Sequence, residues 1–196
     1  LNKASNYNQF LSSLEYYKCP GQNFIYADKK GDIGIIHSGF QPIKWNKQGI
    51  YIQDGSNPEY EWGNNIPYSH KPQIKNPRLG YISSANQHPV DETYPYFLSG
   101  GFWMSYRGIE INRNLDTLYS ATINDMKNIQ LNNKCGVAKN ILPKMLSIIK
   151  NDSLINQIDT LWINKLKQWD YSYDANSIVT TFFDTWIKKV EELTWF

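Results

Sequence analysis

The chain has no run of roughly 18 or more apolar residues, which excludes a membrane-spanning helix by the length a bilayer core demands. Cysteine is nearly absent. Cys19 and Cys135 lie far apart and neither belongs to a C-x-x-C pair, so neither a zinc site nor a thiol redox motif is expected. They read as two separate, half-buried thiols, with a disulfide between them left open. Histidine is as sparse: His37, His70 and His88 are scattered and supply no metal triad. The G-x-S-x-G, H-E-x-x-H, P-loop and G-x-G-x-x-G patterns are all missing, so the chemistries they mark have no foothold. Charge of one sign is lacking too, with 20 basic and 18 acidic residues spread along the chain for a net +2. No basic stripe is available to track a phosphate backbone, which argues against nucleic acid as a partner. Leu1 is neither an initiator Met nor followed by a basic-then-apolar signal region, so the chain reads as cut at the front.

What the sequence does contain is apolar and aromatic surface, at 41% and 15% of 196 residues, enough for an ordinary folded core. Over residues 6–17, Tyr7, Phe10, Leu11 and Leu14 recur at helical spacing before Pro20-Gly21, predicting an amphipathic helix. Phe24-Ile25-Tyr26-Ala27 and Ile33-Gly34-Ile35-Ile36-His37 are β-prone runs joined by Asp28-Lys29-Lys30-Gly31-Asp32. Gly31 supplies the positive φ of a short turn, so a hairpin is predicted. Residues 40–77 carry repeated Pro and Gly among Tyr and Trp, which forbids long elements and predicts a structured loop region. A third strand is expected over residues 79–84, broken by Ala85-Asn86-Gln87-His88-Pro89.

Beyond about residue 100 the periodicity becomes helical. Helices are predicted over 102–119, from Thr122 with Asp125 three residues on, over 137–150 with Pro143 kinking or ending it, over 154–169 and over 176–193. Trp162, Trp169, Phe182, Phe183 and Trp186 are expected to pack as core. The fold class is therefore α+β, with few antiparallel strands (a hairpin plus a third strand) followed by a mostly helical C-terminal half. With neither repeats nor a low-complexity linker, 1–196 reads as a single segment, strands and aromatic loops in 1–100 and helices in 101–196.

Two residues stand out chemically. Asn86, just past a predicted strand end, offers a side-chain N–H donor for a developing oxyanion, although Asn is also a common turn former. Arg107 follows Phe102-Trp103-Met104-Ser105-Tyr106; a guanidinium there either lies on the solvated face or supports a site.

The order of several short motifs resembles the penicillin acylase family of N-terminal-nucleophile hydrolases. The motifs are Tyr26-Ala27-Asp28, Gly31-Asp32-Ile33-Gly34, His37-Ser38-Gly39, Glu61-Trp62, Asn76-Pro77-Arg78-Leu79-Gly80-Tyr81-Ile82, Ala85-Asn86, Tyr94-Pro95 and Arg107-Gly108-Ile109-Glu110-Ile111. Asp125-Met126, Ile129-Gln130, Ala138-x-x-Ile141-Leu142-Pro143, Leu166-x-x-Trp169-Asp170 and Ser177 extend the likeness over nearly the whole chain. The resemblance implies a piece of an αββα sandwich from an enzyme that hydrolyses linear N-acyl amides. It places Asn86 on the family's oxyanion-binding asparagine and Arg107 on an arginine that positions the active-site groups.

In that family the nucleophile is a serine at the start of the large chain, whose own α-amine serves as general base. It lies far upstream of this hairpin, so the resemblance implies that the nucleophile is absent from this chain and that the segment is inactive alone. The expected partners are the rest of the same precursor, both small chain and upstream large-chain region, and a small N-acyl amide. Neither nucleic acid nor membrane is expected, and exposed edges should make the excised segment self-associate. The aromatic loop 45–68 is read as a wall or entrance for an acyl group. Some members bind calcium near Tyr94-Pro95. Here Tyr96-Phe97-Leu98 occupy that stretch and Asp91 and Glu92 lie only upstream, so no cofactor or metal is assigned to the segment. Pro42-Ile43-Lys44 likewise replaces the family's Pro-x-Arg. The resemblance implies a periplasmic or secreted parent. The competing expectation is a non-catalytic scaffold or binding module that kept the fold and lost the nucleophile.

Overall fold

The computed structural model describes residues 1–98, 105–149 and 160–195. They form two compact units, Leu1–Gly108 and Ile109–Phe196.

In the first unit, helix α1 spans Tyr7–Leu14, tighter than the predicted 6–17. Asn6 caps it by accepting from the Gln9 N–H at 3.0 Å, which satisfies a donor that a first helical turn leaves unpaired. Strands β1 (Gln22–Ala27) and β2 (Ile33–Ser38) make the predicted hairpin. Asp28 organises its turn: the carboxylate accepts from the N–H groups of Lys30 and Asp32 at 2.8 and 3.1 Å and from the Tyr26 hydroxyl at 2.8 Å. Gly31 supplies φ +91°. The hydrogen bond to Asp28 pushes the Tyr26 phenol up to about 12. Tyr26-Ala27-Asp28 is therefore a folding motif, spent on building a turn.

The hairpin register assigns the two faces of the sheet. Phe24 stands opposite Ile36 and Tyr26 opposite Gly34, and these positions pack with Tyr7, Phe10 and Leu14 of α1 into one core. Gly34 allows the helix to approach, because a β-carbon there would lie 2.4 Å from the Tyr7 ring. Since side chains alternate along a strand, Asn23, Ile25, Ile35 and His37 point to the other face.

The third strand is Gln73–Lys75 (β3), antiparallel to β2, and not residues 79–84, which are irregular. β3 takes the open edge of β2. Asn76, at φ +48°, then turns the chain away while its side chain accepts from the Ile33 N–H at 2.9 Å and donates to Asp32 at 2.7 Å. A further turn, Gly80 N–H to Pro77 C=O at 2.9 Å, occupies the start of the expected strand. The stretch 40–77 is otherwise a structured loop with 3-10 turns at Pro58–Tyr60 and Tyr68–His70. Gln48 knits it together, fully buried and donating to the carbonyls of Tyr60 and Glu61 at 2.9 and 3.3 Å.

Helices α2 (Tyr106–Leu115), α3 (Ile123–Gln130), α4 (Gly136–Ile149), α5 (Thr160–Gln168) and α6 (Ile178–Trp195) make the C-terminal half mostly helical, as expected. The predicted parts at 102–104, 150 and 154–159 lie outside the described residues. Thr122 and Asp125 form the reciprocal capping box at the start of α3. Pro143 lies inside α4 and does not end it. Ala138, Leu142, Leu166, Trp169 and Phe183 are the buried centre of the second unit, with Phe182 and Trp186 against it. Trp162 stacks on Phe182 at 4.5 Å, so the aromatic stripe is core. Cys19 is exposed, against the expectation for it, and Cys135 is partly buried; both are free thiols. No helix among the described residues is long and apolar enough to cross a membrane.

Candidate active site

The turn that follows residues 79–84 carries Asn86, which adopts φ +63°, a left-handed conformation that asparagine tolerates better than most residues. Ala85 beside it is buried. The Gln87 side chain brackets the turn from within, its Oε1 accepting from the Ala85 N–H at 2.6 Å and its Nε2 donating to the Ser83 carbonyl at 3.4 Å. Asn86 is thus held by strained backbone and local side chains, not by the end of a strand as its sequence position implied.

Arg107, in the first turn of α2, reaches the same turn. Its Nη2 donates to the Ala85 carbonyl at 3.0 Å and to Asn86 Oδ1 at 2.8 Å. A cation in the first turn of a helix is opposed by the helix dipole; two acceptor oxygens offset that cost here. Guanidinium has no acceptor, so the Asn86 amide must turn its oxygen toward Arg107. Its Nδ2, with two N–H donors, has no hydrogen-bond partner among the described residues. The two residues singled out in the sequence, 21 positions apart, therefore meet, and one orients the other.

Beside them a cavity of about 220 Å³ is lined by Asn23, His37, Asn86, Gln87 and Pro89, among others, with no charged side chain among the described residues of its wall. Asn23 and His37 are cross-strand partners on the sheet face away from α1. The His37 Nδ1–H donates to Asn23 Oδ1 at 2.6 Å, and Asn23 Nδ2 donates to Ser84 Oγ at 2.8 Å. Burial, helped by Lys71 and His88, pulls His37 below its ordinary value, so the ring is neutral near pH 7. Asn23 was not singled out in the sequence. The hairpin register was the available signal, because it sets a polar side chain directly opposite His37.

A second recess, of about 520 Å³, includes Asn46, His88, Tyr94, Tyr96 and Phe97 in its lining. Its aromatic wall comes from residues 94–97 and not from the Trp and Tyr side chains of the 45–68 loop. Tyr94 donates to the His70 carbonyl at 2.9 Å, and the Tyr96 hydroxyl lies 2.6 Å from His70 Nδ1. The Asp91 carboxylate is occupied by the N–H and hydroxyl of Thr93, at 2.9 and 2.6 Å. Among the described residues no group of three or more His, Cys, Asp or Glu side chains is arranged to hold a metal ion.

The penicillin amidase family model matches residues 1–195, and the chain belongs to that family. Among individual proteins, penicillin G acylase of Escherichia coli is 31% identical over 99 residues, covering 48% of this chain and 11% of that protein. A thermostable penicillin G acylase from Alcaligenes faecalis has the same fold, with a TM-score of 0.75 at 20% identity, covering 97% of this chain and 35% of its own. The chain thus spans only a small part of the relatives it matches.

Proposed function

We propose that this chain is the part of a longer amidohydrolase that supplies one side of its oxyanion hole, and that the parent enzyme cleaves linear N-acyl amides. The attacking serine lies upstream, outside this chain. Its Oγ adds to the amide carbonyl carbon as its proton passes to the serine's own α-amine, and the carbonyl oxygen becomes an oxyanion. Asn86 Nδ2 donates to that oxyanion. Collapse of the tetrahedral intermediate expels the amine, which takes up the proton, and water then hydrolyses the acyl-serine by the same route. Arg107 contacts no reacting atom in this scheme; it holds Asn86 Oδ1 so that the N–H end faces the substrate. The recess walled by Tyr94, Tyr96 and Phe97 is the candidate seat for the acyl group.

The observation that carries this reading is the Arg107–Asn86 pair, which leaves an oriented amide donor without a partner among the described residues. The test is turnover of N-acyl p-nitroanilides by the full-length protein. Asn86→Ala and Asn86→Gly should each lower kcat by roughly a hundredfold or more, as loss of one oxyanion donor does. Glycine accepts φ +63° freely, so equal losses in both variants separate the missing donor from backbone strain. Unchanged turnover in Asn86→Gly removes Asn86 from the mechanism, and a full-length protein with no hydrolysis of any amide favours the non-catalytic scaffold instead.

A further inference from the structure

We propose that Asn23 is a positioning residue of this reaction, tying the turn that carries Asn86 to the central hairpin through its bonds to His37 and Ser84. The inference rests on the reading of Asn86 given above. Residues 79–84 belong to no strand, so no sheet ladder fixes the approach to the turn. Arg107 grips it from α2 and Gln87 braces it from within. Asn23 ties it to the sheet, bridging 61 residues to Ser84, two positions before Asn86.

The chemistry of the bridge fits that role. Asn23 uses both ends of its amide, accepting from His37 Nδ1–H at 2.6 Å and donating to Ser84 Oγ at 2.8 Å, so its rotation is fixed from two sides. His37 is itself held in β2, its N–H donating to the Pro72 carbonyl at 2.9 Å. Every member of the chain is uncharged, so it braces the turn without placing a charge beside the oxyanion site. Oxyanion donors act only when placed to a fraction of an ångström, and loss of such a brace acts on kcat through Asn86.

The experiment is a double-mutant cycle in the full-length protein, read as kcat and KM on the same N-acyl p-nitroanilides. Asn23→Ala should lower kcat by about tenfold, and Ser84→Ala, at an exposed position, by about threefold, with KM within about twofold, because misplaced groups lose rate more than binding. Combined with Asn86→Gly, neither should lower kcat further, since both act through the side chain already removed. A structural role alone would not produce that non-additivity. Unchanged kcat in both single variants, or effects that multiply fully in the double variants, overturns the proposal. If Asn23→Ala does not fold, the Ser84 cycle decides. If Asn86→Gly lowers kcat and the Asn23 and Ser84 effects are absent or independent, only this inference fails. If Asn86→Gly retains full turnover, the oxyanion reading fails first and takes the positioning role with it.

Discussion

An asparagine amide has nearly the same outline whichever way it is turned, and only its neighbours decide which end meets a substrate. At Asn86 the decision belongs to Arg107, a donor that admits only the oxygen. Arg107→Ala should therefore leave Asn86 present but free to rotate, and kcat should fall by about tenfold, less than on removal of Asn86 itself. One guanidinium nitrogen serves both acceptors, so Arg107→Lys should recover part of the loss. Equal kcat in Arg107→Ala and wild type would detach Arg107 from the site; kinetics of the two variants side by side decide it. Asn86 and Arg107 were legible in the sequence because their residue types and spacing stand in an ordered set of motifs. Asn23 was not, because nothing in its own neighbourhood marks it: the role proposed for it rests on contacts across the hairpin and across 61 residues of chain.

Among the elements, the hairpin and the α3 cap followed from local chemistry: Asp28 and Gly31 define a turn, and Thr122 and Asp125 satisfy each other's backbone donors. The third strand did not. Gln73–Lys75 is short, exposed on every residue and set among prolines, so it carries no alternation to read. It is a strand because β2 has a free edge there. Residues 79–84 have the β-prone composition and lack the edge. The packing of α1 on the sheet gives a sharper test. Gly34→Ala would drive a methyl group into the Tyr7 ring, which is itself buried. Overpacking of that kind costs about 1–3 kcal/mol, and chemical denaturation should show a loss of that size. An unchanged midpoint would mean that α1 can lift from the sheet without cost.

On the scale of the whole molecule, each of the two units has its own buried centre, Tyr7, Phe10, Leu14 and Ile36 in one and Ala138, Leu142, Leu166, Trp169 and Phe183 in the other. Much apolar surface is left over: Tyr51, Ile52, Leu193 and Trp195 are each at least 77% exposed, and β1 and β3 are the edges of a three-stranded sheet. Open edges and apolar patches invite association. The chain alone is therefore expected to sediment as species larger than a monomer that dissociate on dilution; a single monomer boundary at all concentrations would count against this. By itself, the sequence determined the elements whose cause is local, namely helices from periodicity, caps and turns from side chains bonding nearby backbone, and the family from the order of its motifs. The tertiary structure alone decided which segment completed the sheet, which end of the Asn86 amide is free, and that Asn23 reaches the Asn86 turn. Those outcomes depend on partners brought together from far along the chain, and a hydrogen bond or strand edge has no direction until its partner is in place.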